Sequence, residues 1–120
     1  MSKLGALVLA GVVAFALPAA AKTYFNVNWQ PRVLLGVGQK AVVHGIRNET
    51  CGRAAPSFAA IKASLPKPKF GVFSDGGAGW RYSGRCNGFV PARGIAYTAK
   101  KTGVETFFLE GDQIEVTVRP

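Results

Sequence analysis

Residues 70–89 read FGVFSDGGAGWRYSGRCNGF, and how this stretch is divided decides the fold. Residues 70–73 (FGVF) form a short run of the strand-favouring kind. Residues 74–79 (SDGGAG) have the composition of a turn, with Asp75-Gly76 a good hairpin dipeptide. Beyond it, Trp80 and Tyr82 point to one face of a strand and Arg81 to the other, because strand side chains alternate. Cys86 follows, flanked by Arg85 and Asn87 and set between Gly84 and Gly88. Short strands parted by glycine-rich turns are predicted here.

The same texture extends in both directions. Towards the N-terminus lie residues 40–46 (KAVVHGI) and residues 32–37 (RVLLGV), the latter interrupted by Gly36 and Gly38. Before them Phe25, Val27 and Trp29 alternate with Tyr24, Asn26 and Asn28, a half-buried strand that Pro31 ends. Towards the C-terminus come residues 94–98 (GIAYT) and residues 104–109, with a turn at Glu110-Gly111-Asp112. In the last strand Ile114, Val116 and Val118 face inward, while Glu115, Thr117 and Arg119 face water. Residues 57–63 (SFAAIKA) predict a short helix ahead of Pro66 and Pro68. About seven strands spaced by roughly 8–12 residues indicate an all-β protein, a two-sheet sandwich.

Residues 1–21 differ from the rest. Lys3 is their only charge, residues 4–17 (LGALVLAGVVAFAL) are apolar, and Pro18 and Ala19-Ala20-Ala21 follow. That is the pattern of a secretory signal peptide cleaved after Ala21. A spanning helix needs about 20 apolar residues, more than this run supplies. Residues 22–120 are then one domain, with no transmembrane span after cleavage. Export places the chain in an oxidising compartment, periplasmic or secreted, where thiols pair. Cys51, in NETCGR at 48–53, and Cys86 are the only cysteines. They are expected to form a disulfide closing a loop of about 35 residues, which the chain-entropy relation values at roughly 3–4 kcal/mol.

Little in the composition supports catalysis. His44 is the single histidine, and no nucleophile elbow accompanies it. Two paired cysteines, one histidine and six scattered acids make no metal cluster. GVG at 36–38 lacks the third glycine of a dinucleotide loop. The carboxylates Glu105, Glu110, Asp112 and Glu115 are expected to offset Lys100, Lys101 and Arg119. No enzyme activity, cofactor or metal is expected. The strongest lead is charge: 15 Lys and Arg against 6 Asp and Glu, formally +9. Arg81, Arg85 and Arg93 lie near Trp80, Tyr82 and Phe89, with Lys67 and Lys69 before them and Lys100 and Lys101 after. Basic groups interleaved with rings can hold an anionic polymer. The ligand-binding candidates are therefore Trp80, Arg81, Tyr82, Arg85, Arg93, Lys100 and Lys101.

From Pro68 onward the chain resembles the immunoglobulin-like domains of bacterial surface and secreted proteins, of the cadherin-like repeat type. Pro68 and Gly71 match a Pro-x-x-Gly strand start, Tyr97 and Thr98 a Tyr-Thr-Pro element, and Gly103, Glu105 and Phe107 a Gly-x-Asp-x-Phe element. The chain is also similar to small stand-alone exported proteobacterial proteins that pair an upstream cysteine with one in an Arg-Cys-Asn-Gly stretch. Ala99 stands where the pattern has proline, and Glu105 where it has aspartate. The resemblance implies an immunoglobulin-like sandwich outside the cytosol, and it carries over no activity. By elementary chemistry the matched residues serve packing: Gly71 a bulge or a close backbone approach, Gly103 a turn with positive φ, Phe107 a core anchor.

The expected function is that of a non-catalytic interaction or structural module of the bacterial envelope. It would be a monomer that meets an unknown protein or an anionic envelope polymer, without specific nucleic-acid recognition. The alternative is a secreted enzyme inhibitor or stress-protective factor acting through an exposed loop, SDGGAGWRY at 74–82.

Overall fold

A computed structural model describes residues 26–120. The expected signal peptide at 1–21, and Tyr24 and Phe25 of the first expected strand, lie outside the described residues. Within them the elements are β1 (Arg32–Gly36), β2 (Lys40–Arg47), a one-turn helix α1 (Phe58–Ile61) prolonged as a 3-10 turn (Lys62–Ser64), β3 (Gly71–Ser83), β4 (Gly88–Ala99), β5 (Gly103–Leu109) and β6 (Asp112–Arg119). The helix sits where the sequence predicted one, and Ser57 caps it by accepting from the Ala60 N–H at 3.1 Å. Six strands are described rather than about seven. Residues 26–30 form no strand beyond a single bridge from Asn26 to Trp80.

The strands make two three-stranded sheets, in the orders β1-β6-β5 and β2-β4-β3. β1 runs parallel to β6, and the remaining pairs are antiparallel. The all-β sandwich is as the alternation predicted: Ile114, Val116 and Val118 of β6 meet Ile95, Tyr97 and Ala99 of β4, with Val43, Leu35, Phe107 and Leu109 completing the core. Phe73 packs edge-on against Tyr97 and Phe107, at centroid separations of 5.9 and 5.0 Å, geometry that suits the ring quadrupoles.

Residues 74–79 correct the sequence reading. They are no turn. They continue β3, which runs unbroken from Gly71 to Ser83. The DGG segment still makes the local bend its chemistry favours: Asp75 Oδ1 accepts from the Gly77 N–H at 2.8 Å, and Gly77 takes φ 95°. Because β4 offers a continuous partner from Gly88 to Ala99, the bend is absorbed as a β-bulge between Asp75 and Gly77. The chain reverses later, at 84–87, where Ser83 O accepts from Cys86 N and Gly84 O from Asn87 N, both at 3.2 Å. Asn87 takes φ 57° there, a conformation asparagine tolerates.

That reversal carries the disulfide. Cys51 and Cys86 are bonded, with Cα atoms 5.6 Å apart. The bond ties the loop after β2 to the tip of the long β3–β4 hairpin. Val27, fully buried, closes the opposite face of that sheet. It lies over Gly45 of β2 and Gly94 of β4, and a Cβ on Gly94 would come within 2.9 Å of Val27 Cγ1. No helix among the described residues is long and apolar enough to cross a membrane.

Candidate functional site

The seven expected ligand residues do not form one surface. The β3–β4 ladder separates them, pairing Ser83 with Gly88 at one end and Gly71 with Ala99 at the other. At ~3.3 Å per residue the ends lie about 36 Å apart along the strand. Trp80, Arg81, Tyr82 and Arg85 belong to the disulfide end, and Lys100 and Lys101 to the far end.

At the disulfide end two of the arginines are already engaged. Arg81 Nη1 donates to Gly45 O at 2.9 Å and approaches Glu110 Oε1 at 3.5 Å. Arg93 Nε donates to Pro56 O at 3.0 Å, and its Nη1 lies 3.1 Å from Asp75 Oδ1. Trp80, half-buried, lines a cleft with Ala54, Ala55, Pro91 and Arg93, under the strap that the disulfide holds down. Only Tyr82, Phe89 and Arg85 present themselves outward. Tyr82 and Phe89 face each other across the hairpin and meet edge-on at 5.8 Å. They are 57% and 60% exposed. Residues 74–82, suspected as an inhibitory loop, are β-strand.

His44, paired with Ile95 partway along the ladder, is fully buried. Its Nδ1 accepts from the Gly45 N–H at 2.8 Å. Nε2 therefore carries the proton and donates to Asp112 Oδ2 at 2.9 Å. Burial pushes the His44 pKa down. The Asp112 hydrogen bond opposes that shift, and nearby Arg81 adds to it. Both ring nitrogens are occupied within the protein, so no lone pair is left to activate a nucleophile.

The far end gathers cations from distant parts of the chain. Phe70 O accepts from both Lys100 N and Lys101 N, at 2.8 and 3.0 Å. Ala99 N donates to Gln39 O, Gly38 N to Ala99 O, and Val37 N to Arg119 O. Lys40 pairs in register with Thr98. Lys40, Lys69, Lys100, Lys101 and Arg119, all exposed, thus share one end of the sandwich. None makes an ion pair among the described residues. The sequence named Lys100 and Lys101, and noted Lys69 beside them. Arg119 was expected only as a charge offset by nearby carboxylates, and Lys40 arrives through strand register alone.

Three of the four carboxylates expected to offset Lys100, Lys101 and Arg119 do other work. Glu110 meets Arg81 and Asp112 meets His44. Glu105 turns inward: Oε1 accepts from Lys69 N at 2.8 Å, and Oε2 from Phe70 N at 3.0 Å and from the Tyr97 hydroxyl at 2.6 Å. Burial and that hydrogen bond raise the Tyr97 phenol far above its ordinary pKa. The residues that carried the family resemblance converge here. The Tyr97 ring lies against Gly71 and the Phe70 ring against Gly103, where a Cβ would fall 2.6 Å from a ring carbon. Gly71 is the close backbone approach that was expected. Gly103 is required by the ring seated on it rather than by a turn. Phe107 stacks on Tyr97 at 6.0 Å.

No protein-family model, curated protein or solved structure matches the chain.

Proposed function

We propose that the chain is a non-catalytic, exported interaction module of the bacterial envelope, immunoglobulin-like in type, which binds an anionic partner through its lysine-rich end. The observation that carries this reading is the convergence of Lys40, Lys69, Lys100, Lys101 and Arg119, unpaired and exposed, on one end of the sandwich. Glu105, turned to two backbone amides and a phenol, sets one negative charge against these five cations, so their fields add to a positive potential.

Strand order supports the immunoglobulin-like part. An immunoglobulin sandwich puts its second, fifth and fourth strands in one sheet and its sixth and seventh in the other. Here β2-β4-β3 and β5-β6 follow that order, with a helix and a proline-rich segment where the third strand would run. The Cys51–Cys86 bond suits export, since disulfides persist in oxidising compartments. The paired cysteines and the doubly occupied His44 ring favour a binding role over a catalytic one.

Retention on immobilised heparin tests the reading. The protein should bind at low ionic strength and elute with salt, as screening predicts. Lys100→Glu/Lys101→Glu should elute much earlier, and Arg85→Glu close to the unsubstituted protein. Equal elution of all three would remove the lysine end from the proposal.

A further inference from the structure

β5 is an edge strand whose outer side is open. Glu110 and Gly111, at φ 53° and 80°, make a two-residue turn of the type I′ kind, which leaves Leu109 and Asp112 as a hydrogen-bonded pair. The ladder register then makes Phe107/Ile114, Glu105/Val116 and Gly103/Val118 hydrogen-bonded pairs as well. Val104, Thr106 and Phe108 consequently aim their N–H and C=O groups away from β6. No other backbone among the described residues bonds to them. Their side chains stand on the outer face, with Val104 57% and Phe108 59% exposed.

The neighbouring chain cannot complete the sheet. Residues 66–69 (PKPK) run beside β5, but Pro66 and Pro68 have no N–H to donate. That segment is tied instead through the Glu105 side chain. A cleft of ≈ 430 Å³ remains between the two, lined by Pro66, Lys67, Lys69, Val104, Glu105 and Thr106 among others. A second cleft of ≈ 510 Å³ continues at the other end of β5, beside Phe108 and Leu109.

We infer that β5 accepts an extended acidic segment of a partner protein as a fourth strand. The shape follows from the open edge: a row of alternate backbone donors and acceptors is satisfied by another strand. The charge follows from the wall of the cleft. Lys67 and Lys69 line it against one carboxylate, Glu105, which is turned to two amides and the Tyr97 hydroxyl, and neither lysine is in an ion pair among the described residues. The partner segment lays its apolar side chains beside Val104 and Phe108 and its carboxylates towards Lys67 and Lys69. For its charge this inference rests on the anionic-partner reading, and for its geometry on the edge alone.

The probe is a capped ten-residue peptide of alternating glutamate and valine, with the lysine–valine peptide as control. On adding the acidic peptide to the intact protein, the amides of Val104, Thr106 and Phe108 should slow in hydrogen exchange at least tenfold. The control should leave them unchanged. Thr106→Pro removes an outward N–H without touching the β5–β6 ladder, so peptide affinity should fall at least tenfold while heparin retention persists. Exchange on the unsubstituted protein is decisive even if the proline disturbs the fold. Unchanged exchange at those three amides overturns the inference and leaves heparin retention to speak for the lysine end. Equal peptide binding by a folded Thr106→Pro protein also overturns it. So does protection that rises with protein concentration without peptide, which would mean that a second copy takes the edge.

Discussion

The two ends of the sandwich are closed by different chemistry. At one, a covalent bond joins Cys51 to Cys86 and holds a loop against a hairpin tip. At the other, a single carboxylate, Glu105, gathers two backbone amides and the Tyr97 hydroxyl. The bond acts mainly on the unfolded chain, by restricting it. The carboxylate acts on the folded state, by satisfying two part-buried donors, the Phe70 N–H and the Tyr97 hydroxyl, beside the exposed Lys69 N–H. The first is insensitive to small shifts in packing. The second requires Gly71 and Gly103 to stay bare so that Tyr97 and Phe70 can lie flat against them.

Reducing the disulfide, or replacing both cysteines with alanine, should have the largest effect, lowering unfolding free energy by about 3–4 kcal/mol. Urea denaturation reads it directly. A loss under 1 kcal/mol would mean that the loop is held by its other contacts. Glu105→Ala comes next, at about 3 kcal/mol, because it strands two part-buried donors, the Phe70 N–H and the Tyr97 hydroxyl, at once. Glu105→Gln should recover part of that loss. If alanine and glutamine were equally harmless, the knot would be incidental.

Tyr97→Phe removes one charge-assisted bond and keeps the ring, so about 1.5 kcal/mol is expected. The ends lie far enough apart to act independently. The Tyr97→Phe loss should therefore be the same in oxidised and reduced protein. A difference above about 0.5 kcal/mol would show that the ends communicate.

Acid should act through His44, which lies between the two ends. His44 has a folded pKa below its unfolded value, which is about 6.5. Its contribution is fully present above the unfolded pKa and is lost as pH falls towards the depressed folded value. Urea midpoints should decline as the solution is acidified below about pH 6.5. His44→Gln should flatten that decline, and an unaltered profile would discount the His44–Asp112 pair. The smallest effect belongs to the exposed ring pair: Tyr82→Ser should change stability by less than about 0.5 kcal/mol, leaving those rings free for contacts outside the chain.

Legibility in the sequence followed the range of the interactions. The alternation of Ile114, Val116 and Val118 was visible because a strand with one dry face repeats every second residue. Ser57 marked the helix start because a cap acts over three residues. The segment at 74–79 was misread for the same reason. Asp75-Gly76-Gly77 has the local chemistry of a turn, and only the length of β4 beside it converts that bend into a bulge. The basic surface was read as one patch because Arg81, Arg85, Arg93 and Lys100 lie close in sequence. A strand, however, carries neighbours in sequence steadily apart in space.

By itself, the order of residues determined an all-β chain with one staple between its only two cysteines, a short helix, and a surplus of positive charge. Those features depend on residue type and short-range periodicity, which need no knowledge of distant partners. The tertiary structure alone decided that Glu105 faces inward, that His44 has no free nitrogen, that Lys40 and Arg119 join Lys100 and Lys101, and that β5 is left with an open side. Each of these is a pairing between residues far apart in the chain. Register between strands sets such pairings, and register is a property of the whole sandwich rather than of any stretch within it.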